Sequence, residues 1–107
     1  MTDVEVLEDW GVSLREDELV REFFVADVDE KAGFIAITSQ RFIFAAGTGN
    51  GSSVIQEHLL SAARDAEIVR RGLRRSLRVT WHGAESLIRT FDRSDLSRLQ
   101  HYLNARA

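Results

Sequence analysis

The chain has no cysteine, no proline and a single lysine among its 107 residues, and none of its apolar runs is long. Without cysteine there is no disulfide framework and no thiolate to ligate a metal or act as a nucleophile, so stability must come from packing. The longest apolar stretches, FFVA and FIFAA, fall far short of the roughly 18 to 20 residues that span a bilayer. The acidic start also lacks the basic and apolar regions of a signal peptide. These absences lead us to expect a cytoplasmic protein. With no proline, no internal repeat and no low-complexity linker, nothing divides the chain. We expect one domain over residues 1–107, with residues 1–13 as an acidic N-terminal extension.

Apolar residues make up 44% and charged residues 29%, the balance of a globular protein with a real core. The charge is unevenly placed. Residues 1–31 hold eleven acids against Arg15, Arg21 and Lys31, a net of −8, whereas residues 32–107 hold eleven arginines against six acids, a net of +5. Six of those arginines lie between Arg64 and Arg78. Such asymmetry fits a charged partner, a second copy of the chain, or an acidic segment lying over its own arginines.

Apolar spacing then sets the expected elements. Val4, Leu7 and Leu14 predict a helical opening broken at Gly11, with Ser13 capping a short second turn. From Leu19 the composition turns to β: LVREFFVADV, FIAITS and RFIFAA read as three strands in which two sets of apolar side chains alternate. GTGNGSS, residues 47–53, reads as a loop. VIQEHLL and AEIVRR are further strands, and LRVTWHG places Leu77, Val79 and Trp81 on one face with Arg78, Thr80 and His82 on the other. ESLIRTF completes about seven. The period then changes: Leu96, Leu99 and Leu103 predict an amphipathic C-terminal helix, capped by Ser94, with Arg106 in its last turn.

Within this order, the lead-in from Leu14 to Glu18, the first strand, Gly33, and the run ITSQRFIF with Ile35, Thr38, Arg41, Phe42 and Phe44 resemble the opening of bacterial pleckstrin-homology-like or GRAM-like domains. The likeness extends over about residues 14–105. It implies a mainly β fold: a partly open barrel of about seven antiparallel strands, plugged at one end by the C-terminal helix. It also implies a binding scaffold rather than a reaction, with no cofactor. In the members of that family that bind inositol phosphates, the basic cluster sits between the first two strands. Here that stretch carries Asp27, Asp29, Glu30 and Lys31, which repels phosphate overall.

The candidate site is RRGLRR, residues 70–75. As the turn of a β-hairpin it would gather Arg70, Arg71, Arg74 and Arg75 at one exposed end, with Leu73 at the tip and Arg78 behind them. Two surfaces fit these residues: a protein partner or second copy, or an anionic membrane, where each basic residue contributes on the order of 1 kcal/mol. A solvated hairpin tip is the plain alternative. GTGNGSS lacks the Lys-Ser/Thr of a phosphate-binding loop and opens no helix. His82 near Glu85 and His58 after Glu57 lack the metal-ligand spacing of a His-Glu-x-x-His helix, His101 falls on the polar side of the last helix, and no nucleophile elbow occurs, so no enzyme is expected. A sequence pI near 5.6 argues against nucleic acid. The expectation is a non-enzymatic module for protein contact or self-assembly; the alternative is peripheral attachment to anionic lipid.

Overall fold

The computed structural model describes residues 2–47 and 51–104. It contains helix α1 (Asp3–Asp9), strands β1 (Val20–Val28), β2 (Lys31–Thr38), β3 (Arg41–Gly47), β4 (Ser52–Leu59), β5 (Asp65–Arg71), β6 (Arg74–Trp81) and β7 (Ala84–Thr90), and helix α2 (Arg93–Asn104). The seven strands form one antiparallel sheet in the order β4-β3-β2-β1-β7-β6-β5. Strand β1 pairs with β2 along its length but with β7 only through Ala26, Asp27 and Val28. The sheet therefore turns at β1 into a partly open barrel, with β4 and β5 as its free edges and α2 as the cap. Side chains tie the open side together. His58 of β4 stacks on Trp81 of β6 with ring centroids 4.2 Å apart, and Gln56 of β4 accepts a hydrogen bond from Ser86 of β7.

The barrel interior holds Phe24, Val28, Ile35, Ile37, Phe42, Phe44, Leu77, Val79, Trp81 and Ile88, sealed by Leu96, Leu99 and Leu103 of α2. Each of these leucines gains about 1.5 to 3 kcal/mol by leaving water. The apolar runs FIAI and FIFAA have a second set of side chains, because the sheet is buried on both sides there. Ala36, Ile43 and Ala45 point outward and are covered by Leu7, Trp10 and Val12. Residues 2–13 thus supply a second, outer core: Trp10 meets Phe23 edge-on at 5.8 Å. This placement overturns the idea that the acidic segment lies over the hairpin arginines. Its apolar residues take it to the outer face of β2 and β3, and the acids of α1 make no ion pair among the described residues.

Three local expectations are corrected. Helix α1 is capped by Thr2, whose hydroxyl accepts from Glu5 while the Glu5 carboxylate reaches back to the Thr2 backbone. No second turn forms at Ser13; its carbonyl accepts from Arg41 instead. Helix α2 is capped by Asp92 rather than Ser94, since the Asp92 carboxylate accepts from both the Asp95 N–H and the Ser94 hydroxyl and is held below its usual pKa by them. The loop expected over residues 47–53 is shorter at both ends, with Gly47 closing β3 and Ser52 and Ser53 opening β4. Thr48, Gly49 and Asn50, like Arg106, lie outside the described residues. Gly33 is required where it stands: a Cβ there would sit 2.2 Å from the Ala45 carbonyl oxygen.

Candidate functional site

The residues that carried the family resemblance turn out to hold the fold together. Glu18, Thr38 and Arg41 are buried side by side. Arg41 donates through Nε and Nη2 to the two oxygens of Glu18 at 2.8 and 2.7 Å, through Nη1 to Glu57 at 2.5 Å, and through Nη2 to the Ser13 carbonyl at 2.9 Å. Glu18 also accepts from the Thr38 hydroxyl and the Arg15 N–H, and Thr38 accepts from the N–H of Gln40 and Arg41 to shape the β2–β3 turn. The fork-to-fork pair with Arg41, reinforced by those two donors, holds the Glu18 carboxyl down at about 2 against the desolvation that would raise it. Both oxygens of Glu18 and all three guanidinium nitrogens of Arg41 are bonded within the chain. The work of this cluster is to lash the lead-in segment to the β2–β3 turn and to β4.

The Arg-rich hairpin forms as expected, and register divides its arginines between two faces. Arg70 pairs with Arg75 and Arg71 with Arg74, leaving Gly72 and Leu73 as a two-residue turn. The φ of Gly72 is +63° and Leu73 keeps a negative φ, the type II′ geometry that places Gly first and matches the twist of the strands. Alternation then puts Arg71 and Arg74 on the outer face with Val69 and Ser76, and Arg70 and Arg75 on the side of Ile68 and Leu77. The six sequence candidates therefore do not form one cluster.

On the outer face of β5, β6 and β7 lies an open groove of about 440 Å³ with Arg71, Arg74, Arg78 and Arg89 and one acid, Glu85, on its walls and Val69 and Leu87 between them. Arg78 is bonded to Glu67; the other three have no carboxylate within ion-pair distance among the described residues. At the tip, Leu73 is 104% exposed and Phe91, the residue just past β7, is 90% exposed. Both line a shallow hollow of about 170 Å³ with Arg75 and Arg93. Sequence reasoning missed Arg89, Phe91 and Arg93 as neighbours of the hairpin. Leu87 and Arg89 alternate on β7 as solvent-facing positions, which was the available signal, but their approach to the hairpin depends on β6 pairing with β7.

His58, His82 and Asp29 are engaged in structure. The ring of His58 lies against Trp81 and Phe42, and burial lowers its pKa, favouring the neutral ring. His82 accepts from Arg64. The β1–β2 connection is a two-residue turn, Asp29 and Glu30, and the Asp29 carboxylate is occupied by the Leu87 N–H and the Gln56 amide. Among the described residues no group of three or more His, Asp or Glu is placed to hold a metal, and no helix is long and apolar enough to cross a membrane. Compared with protein-family models and with characterised sequences, the chain matches none.

Proposed function

We propose that the chain is a small non-enzymatic binding module on a pleckstrin-homology-like scaffold, and that its task is protein contact through self-assembly. One observation carries this reading: two faces of opposite charge that form no ion pair with each other among the described residues, the arginine face staying net positive although Glu67 pairs with Arg78 and Glu85 lies in the groove. The outer groove presents Arg71, Arg74 and Arg89 without carboxylate partners, and α1 presents Asp3, Glu8 and Asp9 without basic partners. The groove is open and floored by Val69 and Leu87, so an acidic helix carrying an apolar residue suits it, and α1 exposes Val4 among its acids. Such a contact joins different patches on the two copies. It closes into a ring or propagates, according to the angle between them.

The test is light scattering after size-exclusion chromatography at about 0.1 M and about 1 M salt, where the Debye length is about 10 Å and about 3 Å. The wild type is expected to be oligomeric at the lower salt and smaller at the higher. Arg71→Glu/Arg74→Glu should be monomeric in both. Mixing it with Glu8→Arg/Asp9→Arg should restore mixed assemblies, because the swapped charges meet again. A monomeric wild type in both salts overturns the reading.

A further inference from the structure

We infer a second contact surface, separate from the outer groove: the hairpin tip and the corner between β7 and α2 form a docking site for an anionic lipid bilayer, with Leu73 and Phe91 as the inserted side chains. This goes beyond the assembly reading and does not depend on it.

Leu73 and Phe91 are the two most exposed large apolar residues described in the chain, at 104% and 90%. They come from different elements, 18 positions apart in sequence, yet border the same hollow. Scattered single apolar residues on a surface need no explanation, whereas two brought together at one protruding end, both almost wholly in water, form a patch. Neither contributes to the barrel core or the outer core. Beside them stand Arg75 and Arg93, which line the same hollow, and Arg70, which pairs with Arg75 across the hairpin. Among the described residues none of these three has a carboxylate within ion-pair distance. The acid beside the patch, Asp92, has its carboxylate turned to the helix cap, where Ser94 and Asp95 donate to it.

Apolar tips flanked by unpaired guanidinium groups complement a bilayer surface in both of its layers. Leucine and phenylalanine enter the boundary between headgroups and acyl chains, while arginine reaches the phosphates above them. The fit is to a charged surface rather than to one headgroup, because the arginines flank the apolar pair instead of converging on a point. The acidic β1–β2 turn takes no part.

The experiment is co-sedimentation of the full chain with vesicles of pure phosphatidylcholine and of phosphatidylcholine mixed with phosphatidylglycerol. Two variants accompany the wild type: Leu73→Ser/Phe91→Ser and Arg70→Gln/Arg75→Gln/Arg93→Gln. All five side chains lie outside both cores, and far-ultraviolet circular dichroism checks that each variant folds. The wild type should pellet with the phosphatidylglycerol vesicles and not with pure phosphatidylcholine, and each variant should lose at least about tenfold in partitioning. The arginine contribution should fade as salt rises. A wild type that stays in the supernatant overturns the inference. So does a Leu73→Ser/Phe91→Ser variant that binds as well as the wild type, since the arginines would then act as a diffuse charge. If the wild type ignores vesicles but its oligomers dissolve on Leu73→Ser/Phe91→Ser, the tip is a protein contact and the lipid assignment fails. Arg71, Arg74 and the acids of α1, on which the assembly test turns, are unchanged throughout.

Discussion

With its guanidinium bonded to Glu18, Glu57 and the Ser13 carbonyl, Arg41 cannot be removed without leaving the buried Glu18 carboxylate without a counter-charge. Arg41→Ala should therefore cost about 3 to 5 kcal/mol, read from urea unfolding followed by circular dichroism. The same cluster sets an acid limit. Because Glu18 ionises near 2 in the folded protein and near 4.5 when unfolded, its contribution is complete above about pH 4.5 and is lost as pH falls towards 2, on the order of 3 kcal/mol in all. His58 sets a milder one. Burial lowers its pKa below 6.5, so the unfolded chain takes up the proton first and stability declines as pH drops below about 6.5. Stability measured from pH 8 to pH 2 should show both limbs. Glu18→Gln should flatten the lower one, and His58→Phe, which keeps a ring against Trp81, the upper one; an unchanged profile in either variant refutes the assignment. The identities of Glu18, Thr38 and Arg41 were legible as a signature. Their shared burial was not, because 23 residues separate Glu18 from Arg41 and the β1–β2 pairing is what brings them together.

Among the elements, the hairpins differ in how well their turns suit the residues in them. Gly72 answers the positive φ of the β5–β6 turn, whereas the β1–β2 turn places Asp29 and Glu30 at φ of +50° and +70°, a region that costs a residue with a Cβ about 1 to 2 kcal/mol. Asp29 repays this by anchoring the turn to Leu87 and Gln56. Glu30 makes no such bond, and Glu30→Gly would create the Asp-Gly pair that this turn type prefers. We expect Glu30→Gly to stabilise the protein by about 0.5 to 1 kcal/mol, seen as a higher Tm. Asp29→Gly should lower the Tm by releasing β7 and β4 from the turn. Strand order and helix position were readable from periodicity because alternation and the leucine spacing are local properties. The cap of α2 was misplaced by two residues because Asp92 and Ser94 are equally good capping types, and only the chain direction after Thr90 selects between them.

At the scale of the molecule, two cores share one sheet. The interior set and the outer set built on Leu7, Trp10 and Val12 are separated only by the thickness of β1, β2 and β3. They should therefore unfold together. Each core contains one tryptophan, so Trp10→Phe reports the interior through Trp81 and Trp81→Phe reports the outer layer through Trp10. Each variant's fluorescence transition in urea should coincide with its own transition by circular dichroism. Two separated transitions would mean that the N-terminal layer is an independent cover. Trp10→Ala should destabilise the whole by about 3 kcal/mol.

The sequence by itself determined that the chain is mainly β, the count and order of strands along it, the two faces of β6 and the leucine stripe of α2. Each of these follows from side-chain alternation or helical period over a few neighbouring residues. It also determined that the hairpin at residues 70–75 is basic and exposed. Only the tertiary structure decided where residues 2–13 lie, which arginines share a face, and that Phe91 and Arg93 stand beside Leu73. Those are distances between segments far apart in the chain. They depend on which strand pairs with which and on how sharply the sheet bends at β1, neither of which is written in any local pattern.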